Sequence, residues 1–500
     1  MGRDLDLTWL LPAETLSYVF DSIDLADLVR CSLVSRRWRD VAIQHRNYWS
    51  QIYVSDERAT RPAELVRASI ELGCAQLSRS IAQPISVAIV LHGVYDDAAG
   101  LMDLIGRNLG RINDLSLQLD ASLSCMMFAT LSQPAPVMQT LALELFGTAN
   151  AVLQPTFLGG HAPQLNHLAV RNIHVPQSPI PHIQHLPELA VASLHEKTAS
   201  GTTPDHPEFP DHIFSVFPDL VQLEVNSYPF FSIPRQPTLR MSAGLMRLKR
   251  LHFWSSPPKH LFEWRETKNV DKISIYEPDL RIVPAILAQL EGDLVFAIDS
   301  YANHHQFANF MEARYVVPTL PAMPGPEIER LRIRKMIYSS DVCVLRPPLV
   351  AAMAVGALDR VTALCIGAMY LSYMCATFPP MNNLRDLVLR VYDELYDVEV
   401  PLAGAPKLRR FLLDSAAEGG KEVVLEADDV VTVIERALPK RVLGQFRIQL
   451  NNVRIDGWTD AHFARCLIRR TGCNPWTDHA PDCAANDAYE DPGMPMDICN

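Results

Sequence analysis

The sequence predicts an α/β chain in two unequal parts: a small three-helix unit over residues 8–55, then an elongated, irregular array of repeats whose strands share one parallel sheet. Three observations lead there. Between residues 11 and 49, apolar side chains recur at helical spacing in three short bursts. From residue 85 onward, a line of three aliphatic residues, spaced three and then two apart, returns many times. And 500 residues exceed what one compact core holds, so several domains or an extended array is required.

The first helix is placed behind Pro12, which suits a helix start because its missing N–H would have no intrahelical partner there. Leu16, Val19, Phe20 and Ile23 then give it an apolar face. Asp24, with Asp27 three residues on, approximates a capping box before Leu25, Leu28, Val29 and Leu33. A third helix is expected from about Ser35 to His45, with Trp38, Val41 and Ala42 inward and Arg36, Arg37 and Arg39 outward. So small a core lies near the lower limit of independent stability, and such a unit tends to keep an apolar face for a partner.

The string LPAETLSYVFDSIDLADLVRCSLVSRRWRDVAIQHRNYWSQI resembles the F-box. Leu11-Pro12, Leu16, Val19-Phe20, Leu25, Leu28, Val34, Arg37-Trp38 and Trp49 stand where that family's pattern has them. Thr15 departs from a usual aliphatic residue, and Ser35 from a frequent cysteine. The resemblance implies docking onto a Skp-family adaptor that bridges to a cullin scaffold. It implies adaptor contacts at Leu11, Pro12, Leu16, Val19, Leu25, Leu28 and Val34, with Trp38 either at the contact or in the core. The alternative is a three-helix cap that only closes the array.

After Arg61-Pro62, a linker helix is expected within residues 61–84. The aliphatic lines follow at Ile85, Ile112, Met138 and Leu165, which are 27, 26 and 27 residues apart. A degraded copy near Leu189 precedes further lines at Leu220, Leu248, Val270, Ile328, Val361, Leu384, Leu408 and Leu443. This period and pattern resemble an irregular leucine-rich repeat over residues 85–472. Alternation along each strand sends the aliphatic residues into the core and the intervening ones onto a shared sheet face. Trp458, Phe463 and Leu467 are expected on a closing helix. Residues 473–500, acidic and poor in aliphatics, read as a mobile tail.

In that register the early repeats present Asp114, Ser116, Gln118, Ala142 and Glu144, while the middle ones present Arg250, His252, Trp254, Lys272, Tyr276, Arg330, Arg332 and Arg334. Arg390, Arg410 and Arg447 follow beside Asp386 and Asp414. Two readings stand. Either Arg250, Trp254, Arg330, Arg332 and Arg334 form a target-binding strip for an acidic or phosphorylated segment, or the arginines pair laterally with carboxylates.

Composition narrows the function classes. A net charge of −12 opposes general nucleic-acid binding. Ten scattered cysteines fit a reducing compartment, and charges within MGRDLDLTWLLPAE oppose a secretory signal. Val361 to Phe378 reads as a buried strand and helix rather than a membrane span. A cytoplasmic or nuclear protein is expected. No phosphate loop, dinucleotide fingerprint, nucleophile elbow or zinc-protease helix occurs, so neither catalysis nor a cofactor is expected. Cys466, Cys473, His479 and Cys483 lack the short Cys-x-x-Cys knuckle of a zinc site. The leading expectation is a ubiquitin-ligase substrate receptor. A scaffolding repeat protein that assembles no ligase is the alternative.

Overall fold

The structure, a computed structural model, describes residues 11–23, 25–56, 62–80, 84–147, 151–194, 209–228, 233–276, 278–303, 306–317, 330–338, 356–368, 381–391, 405, 407–415, 422–437, 447–459 and 467–469. The segment 473–500, Phe463 and the four metal-capable tail residues lie outside them.

Four short helices open the chain: α1 (Ala13–Asp21), α2 (Leu25–Cys31), α3 (Arg36–Gln44) and α4 (Arg46–Ser50). Pro12 is the residue before α1 rather than its first turn. Ser35 caps α3 by accepting the Trp38 N–H at 3.3 Å, satisfying one of the donors a helix start leaves open. Phe20, Leu28 and Ala42 make the small core, with Ile23, Cys31, Trp38, Val41 and Tyr48 packed around it. Strand Gln51–Ser55 follows α4 directly and pairs in parallel with Ile85–Leu91. Between those strands α5 (Ala63–Arg79) buries Val66, Ile70 and Leu77 in the main core, so the segment read as a linker is part of the larger body.

Among the described residues one sheet has 17 strands, most of them parallel. From Gln51–Ser55 the order runs through Ile85–Leu91, Ile112–Asp120, Thr140–Phe146, His167–Arg171, Glu188–Leu194, Gln222–Tyr228 and Arg250–Phe253 to Lys272–Tyr276, each strand beside the next in sequence. Leu115, Leu117, Leu141, Leu143, Leu168, Val170, Leu223, Val225, Leu251 and Phe253 all point into the core from these strands. Asn172, with a left-handed φ of 57°, ends one of them, and its amide donates to the Leu145 carbonyl of the neighbouring repeat at 2.8 Å.

The expectation of parallel pairing in sequence order fails in the middle. Lys272–Tyr276 pairs with Arg330–Tyr338, which pairs antiparallel with Gln306–Val317, which pairs antiparallel with Leu294–Asn303. Leu294–Asn303 then pairs in parallel with Val361–Gly367, and the ordered run resumes through Asp386–Val391, Arg410–Ser415, Arg447–Asn451 and Leu467–Arg469. Three strands are thus laid down in reverse order inside a parallel sheet. The long strands Leu294–Asn303 and Gln306–Val317 lack the aliphatic line and were not foreseen. Leu467 lies on the last strand, not on a helix, because it continues the ladder beside Arg447. Val361–Gly367 is the strand expected there, and no helix among the described residues is long and apolar enough to cross a membrane.

Candidate functional site

Helical geometry divides the N-terminal unit into an inner and an outer set. Leu16 and Phe20, four apart, face inward and are buried, which leaves Tyr18 and Val19 on the other side of α1. Leu28 likewise enters the core, while Leu33 and Val34 project from the turn before α3 at 71% and 65% exposure. Of the expected adaptor contacts, Leu11, Pro12, Val19 and Val34 are therefore open to a partner. Leu16 and Leu28 are not, and their role is corrected to core packing. The side chain of Leu25 lies outside the described residues. Trp38 packs its ring on Phe20 with centroids 5.6 Å apart, which places it with the core. Arg37 reaches back to donate to the Leu11 carbonyl, tying the Leu11-Pro12 corner to α3. Tyr18, two residues from both Leu16 and Phe20 and so on the opposite side of α1, and Leu33, in the turn after α2, are additional exposed apolar residues.

The sheet face expected to bind a target is only partly as foreseen. Arg250 is exposed and donates to Gln222 Oε1 at 3.3 Å. Trp254 lies against His252 and Tyr276, with centroids 5.2 Å and 5.5 Å away, and donates its indole N–H to Glu224. Burial pushes the His252 imidazole down, against the pull of Glu224. Arg334, by contrast, is sealed in the core. It stands opposite Ile273, an inward residue, while Ile333 stands opposite Lys272 on the outward face. The strand is shifted by one residue from the expected register, which turns Arg334 inward and Ile333 outward. Arg334 donates to Gln289 and to the carbonyls of Val270, Asp271, Ile333 and Thr267. Burial, reinforced by Arg332, pushes its guanidinium down to about 9, so it keeps its charge at neutral pH. Arg332 is half-buried, and the side chain of Arg330 lies outside the described residues. Farther along, Arg410 grips Asp386 through two bonds of 2.6 and 2.7 Å, and Arg390 lies 3.4 Å from Asp414. Those cations pair laterally.

Residues 8–55 match the family model described as F-box-like. No curated protein matches the chain. Domains of this kind generally bind Skp-family adaptors. Its last five matched residues, Gln51–Ser55, are also the first strand of the sheet. The domain and the sheet are therefore continuous. Gln76 on α5 donates to the Tyr48 carbonyl at 3.4 Å, and the Arg79 guanidinium lies 5.7 Å from the Trp49 ring. Asp56, just past that strand and nearly sealed from water, accepts the N–H groups of His92 and Gly93, the His92 ring at 2.8 Å and the Tyr95 hydroxyl at 2.8 Å. Burial raises the Asp56 carboxyl, but the bonds from His92 and Tyr95 outweigh it and hold it below its ordinary value. Burial and the bond to Asp56 push the Tyr95 hydroxyl up to about 12, so it remains a donor. No spacing or motif marks this hub, because its members meet only through the fold.

Proposed function

We propose that the chain is the substrate-recognition subunit of an SCF-type cullin–RING ubiquitin ligase. The F-box-like domain docks on a Skp-family adaptor, the adaptor bridges to a cullin scaffold, and the parallel sheet, read as an irregular leucine-rich-repeat solenoid, holds a target protein. The chain has no chemistry of its own in this reading, and ubiquitin transfer belongs to its partners in the cytoplasm or nucleus. The observation that carries it is the exposed apolar set Leu11, Pro12, Val19, Leu33 and Val34 on a domain matched as F-box-like. Continuity with the sheet supports it further, because a receptor that positions a target needs a fixed path from adaptor to target. The target-binding role extends to the sheet face around Arg250 and Trp254. An acidic or phosphorylated target loses its main support once Arg334 is buried and Arg390 and Arg410 are paired.

The test is co-purification from cells of the tagged chain with a Skp-type adaptor and a cullin, beside a chain carrying Leu33→Glu and Val34→Glu. Adaptor and cullin should follow the unmodified chain and be absent from the double variant. Capture of the adaptor without any cullin would leave the scaffolding alternative standing in its place.

A further inference from the structure

We propose that the outer face of the helix Leu239–Leu245 docks on an anionic membrane surface, through two exposed apolar side chains and the unpaired cations beside them. The contact is peripheral, and none of its residues belongs to the adaptor-facing set or to the sheet face.

Helical geometry sets out the face. Met241, Gly244 and Leu245 turn inward and are buried, with Gly244 pressed against the Phe214 ring. Leu239, Ala243 and Met246, four and three residues apart, therefore form the opposite stripe, and all three are exposed. Leu239 is 91% exposed and Met246 64%. Seven residues of helix set them about 10 Å apart along the axis, so both can enter one plane that lies along the helix. The turn continues past Met246, because the N–H groups of Arg247 and Leu248 both reach the Gly244 carbonyl. Arg240 and Arg247, each one residue beyond an apolar member of the stripe, line one flank. On the other flank Ser242 donates to Glu266, two residues before Lys268. The Arg235 carbonyl accepts the Trp264 indole N–H at 2.9 Å, which brings Arg235 to the same turn of chain.

Charge complementarity names the partner. Residues 233–272 carry nine lysines and arginines against three carboxylates, inside a chain whose net charge is −12. Glu263 is taken by Lys259 at 3.6 Å, and Glu266 has the Arg265 charge beside it. Asp211, across the helix start, accepts the Thr238 hydroxyl at 2.8 Å. Among the described residues no carboxylate pairs with Arg235, Arg240, Arg247 or Lys268, and the Arg247 guanidinium donates only to the neutral Phe214 carbonyl. Four cations thus keep an uncompensated charge around two apolar knobs. A leucine left so far out of its own surface has no walls around it, so an extended peptide would find knobs and no groove. A bilayer interface needs no groove: apolar side chains enter the acyl boundary while arginine and lysine heads stay among anionic headgroups. The rest of the chain is acidic and repelled by such a surface, so binding has to be local.

The experiment sediments the full chain with vesicles of phosphatidylcholine alone, or with about a third phosphatidylserine. It should follow the anionic vesicles and stay behind with the neutral ones, and added salt should release it. Arg240→Gln with Lys268→Gln should weaken binding about twentyfold, at about fivefold for each cation. Leu239→Gln with Met246→Gln leaves the charge alone and should weaken it about tenfold or more. All four side chains lack partners that hold the fold, and a melt of each variant checks this. Should one pair melt early, the other still decides. Failure to sediment overturns the proposal, as does equal sedimentation with neutral vesicles or binding unaltered in either intact pair. Labelled polyglutamate bound as tightly as the anionic vesicles, read by fluorescence anisotropy, would overturn it in favour of an acidic protein partner.

Discussion

Arg334 donates its Nε–H to Gln289 Oε1 at 3.1 Å, although the two residues are 45 positions apart and both side chains are sealed from water. The guanidinium also holds carbonyls at Val270 and Thr267, just before the Lys272–Tyr276 strand. It therefore fastens the reversed three-strand segment to the ordered sheet beside it. Arg334→Met keeps much of the volume but strands Gln289 and these carbonyls in the core. The expected loss is ~3 kcal/mol or more, read as a lowered urea midpoint of the full chain. An unchanged midpoint would show that the bonds contribute nothing net.

Leu33→Glu with Val34→Glu should abolish adaptor capture while leaving the thermal melt in place, since both residues are exposed. Leu11→Ala with Pro12→Ala should weaken capture in the same assay. Retention of capture by both pairs would remove this surface as the docking face.

Leu16→Ala and Leu28→Ala should behave oppositely. Each deletes a fully buried side chain and should cost ~2–5 kcal/mol. Trp38→Ala, which strips the ring from Phe20, should cost ~3–5 kcal/mol. Adaptor binding should be lost with each in step with the melt and be recovered at lower temperature.

Asp56 makes a prediction about acid. Its folded carboxyl is held below the ordinary value of 3.8, so its contribution is present above the unfolded value and is lost as pH falls through the lower, folded one. Asp56→Asn should lower the melting temperature at neutral pH and flatten its decline below about pH 4. A decline as steep as in the unmodified chain would place the acid-labile group elsewhere.

Gly73 sets how closely α5 lies on the first strand: a Cβ there would stand 2.7 Å from Val54 Cγ2. Gly73→Val should destabilise the junction by ~1–3 kcal/mol through overpacking. Limited proteolysis should then cut between residues 56 and 62 sooner than in the unmodified chain.

The inward faces of the early strands were legible because each aliphatic line repeats at nearly constant spacing, and a period of two assigns Leu115 and Leu117 or Leu141 and Leu143 to one side without ambiguity. The same rule misled at Arg334. There arginines and aliphatics alternate strictly, so two registers fit, and only the distant Gln289 and Thr267 decide which one is folded. In the helices the expected adaptor set mixed Leu16 with Val19. Adjacent turns of a short helix share apolar residues between core and surface, and three-dimensional packing on Phe20 and Leu28 separates them.

The reversed segment also fixes when the sheet can be completed. Strands up to Lys272–Tyr276 each find their neighbour as soon as the next repeat leaves the ribosome, but the next partner of that strand begins only at Arg330. For more than fifty residues of synthesis a finished half-sheet ends in an open row of N–H and C=O groups, the template on which unrelated chains pair. Nascent chains that end between residues 277 and 338 accordingly carry the whole of that open edge.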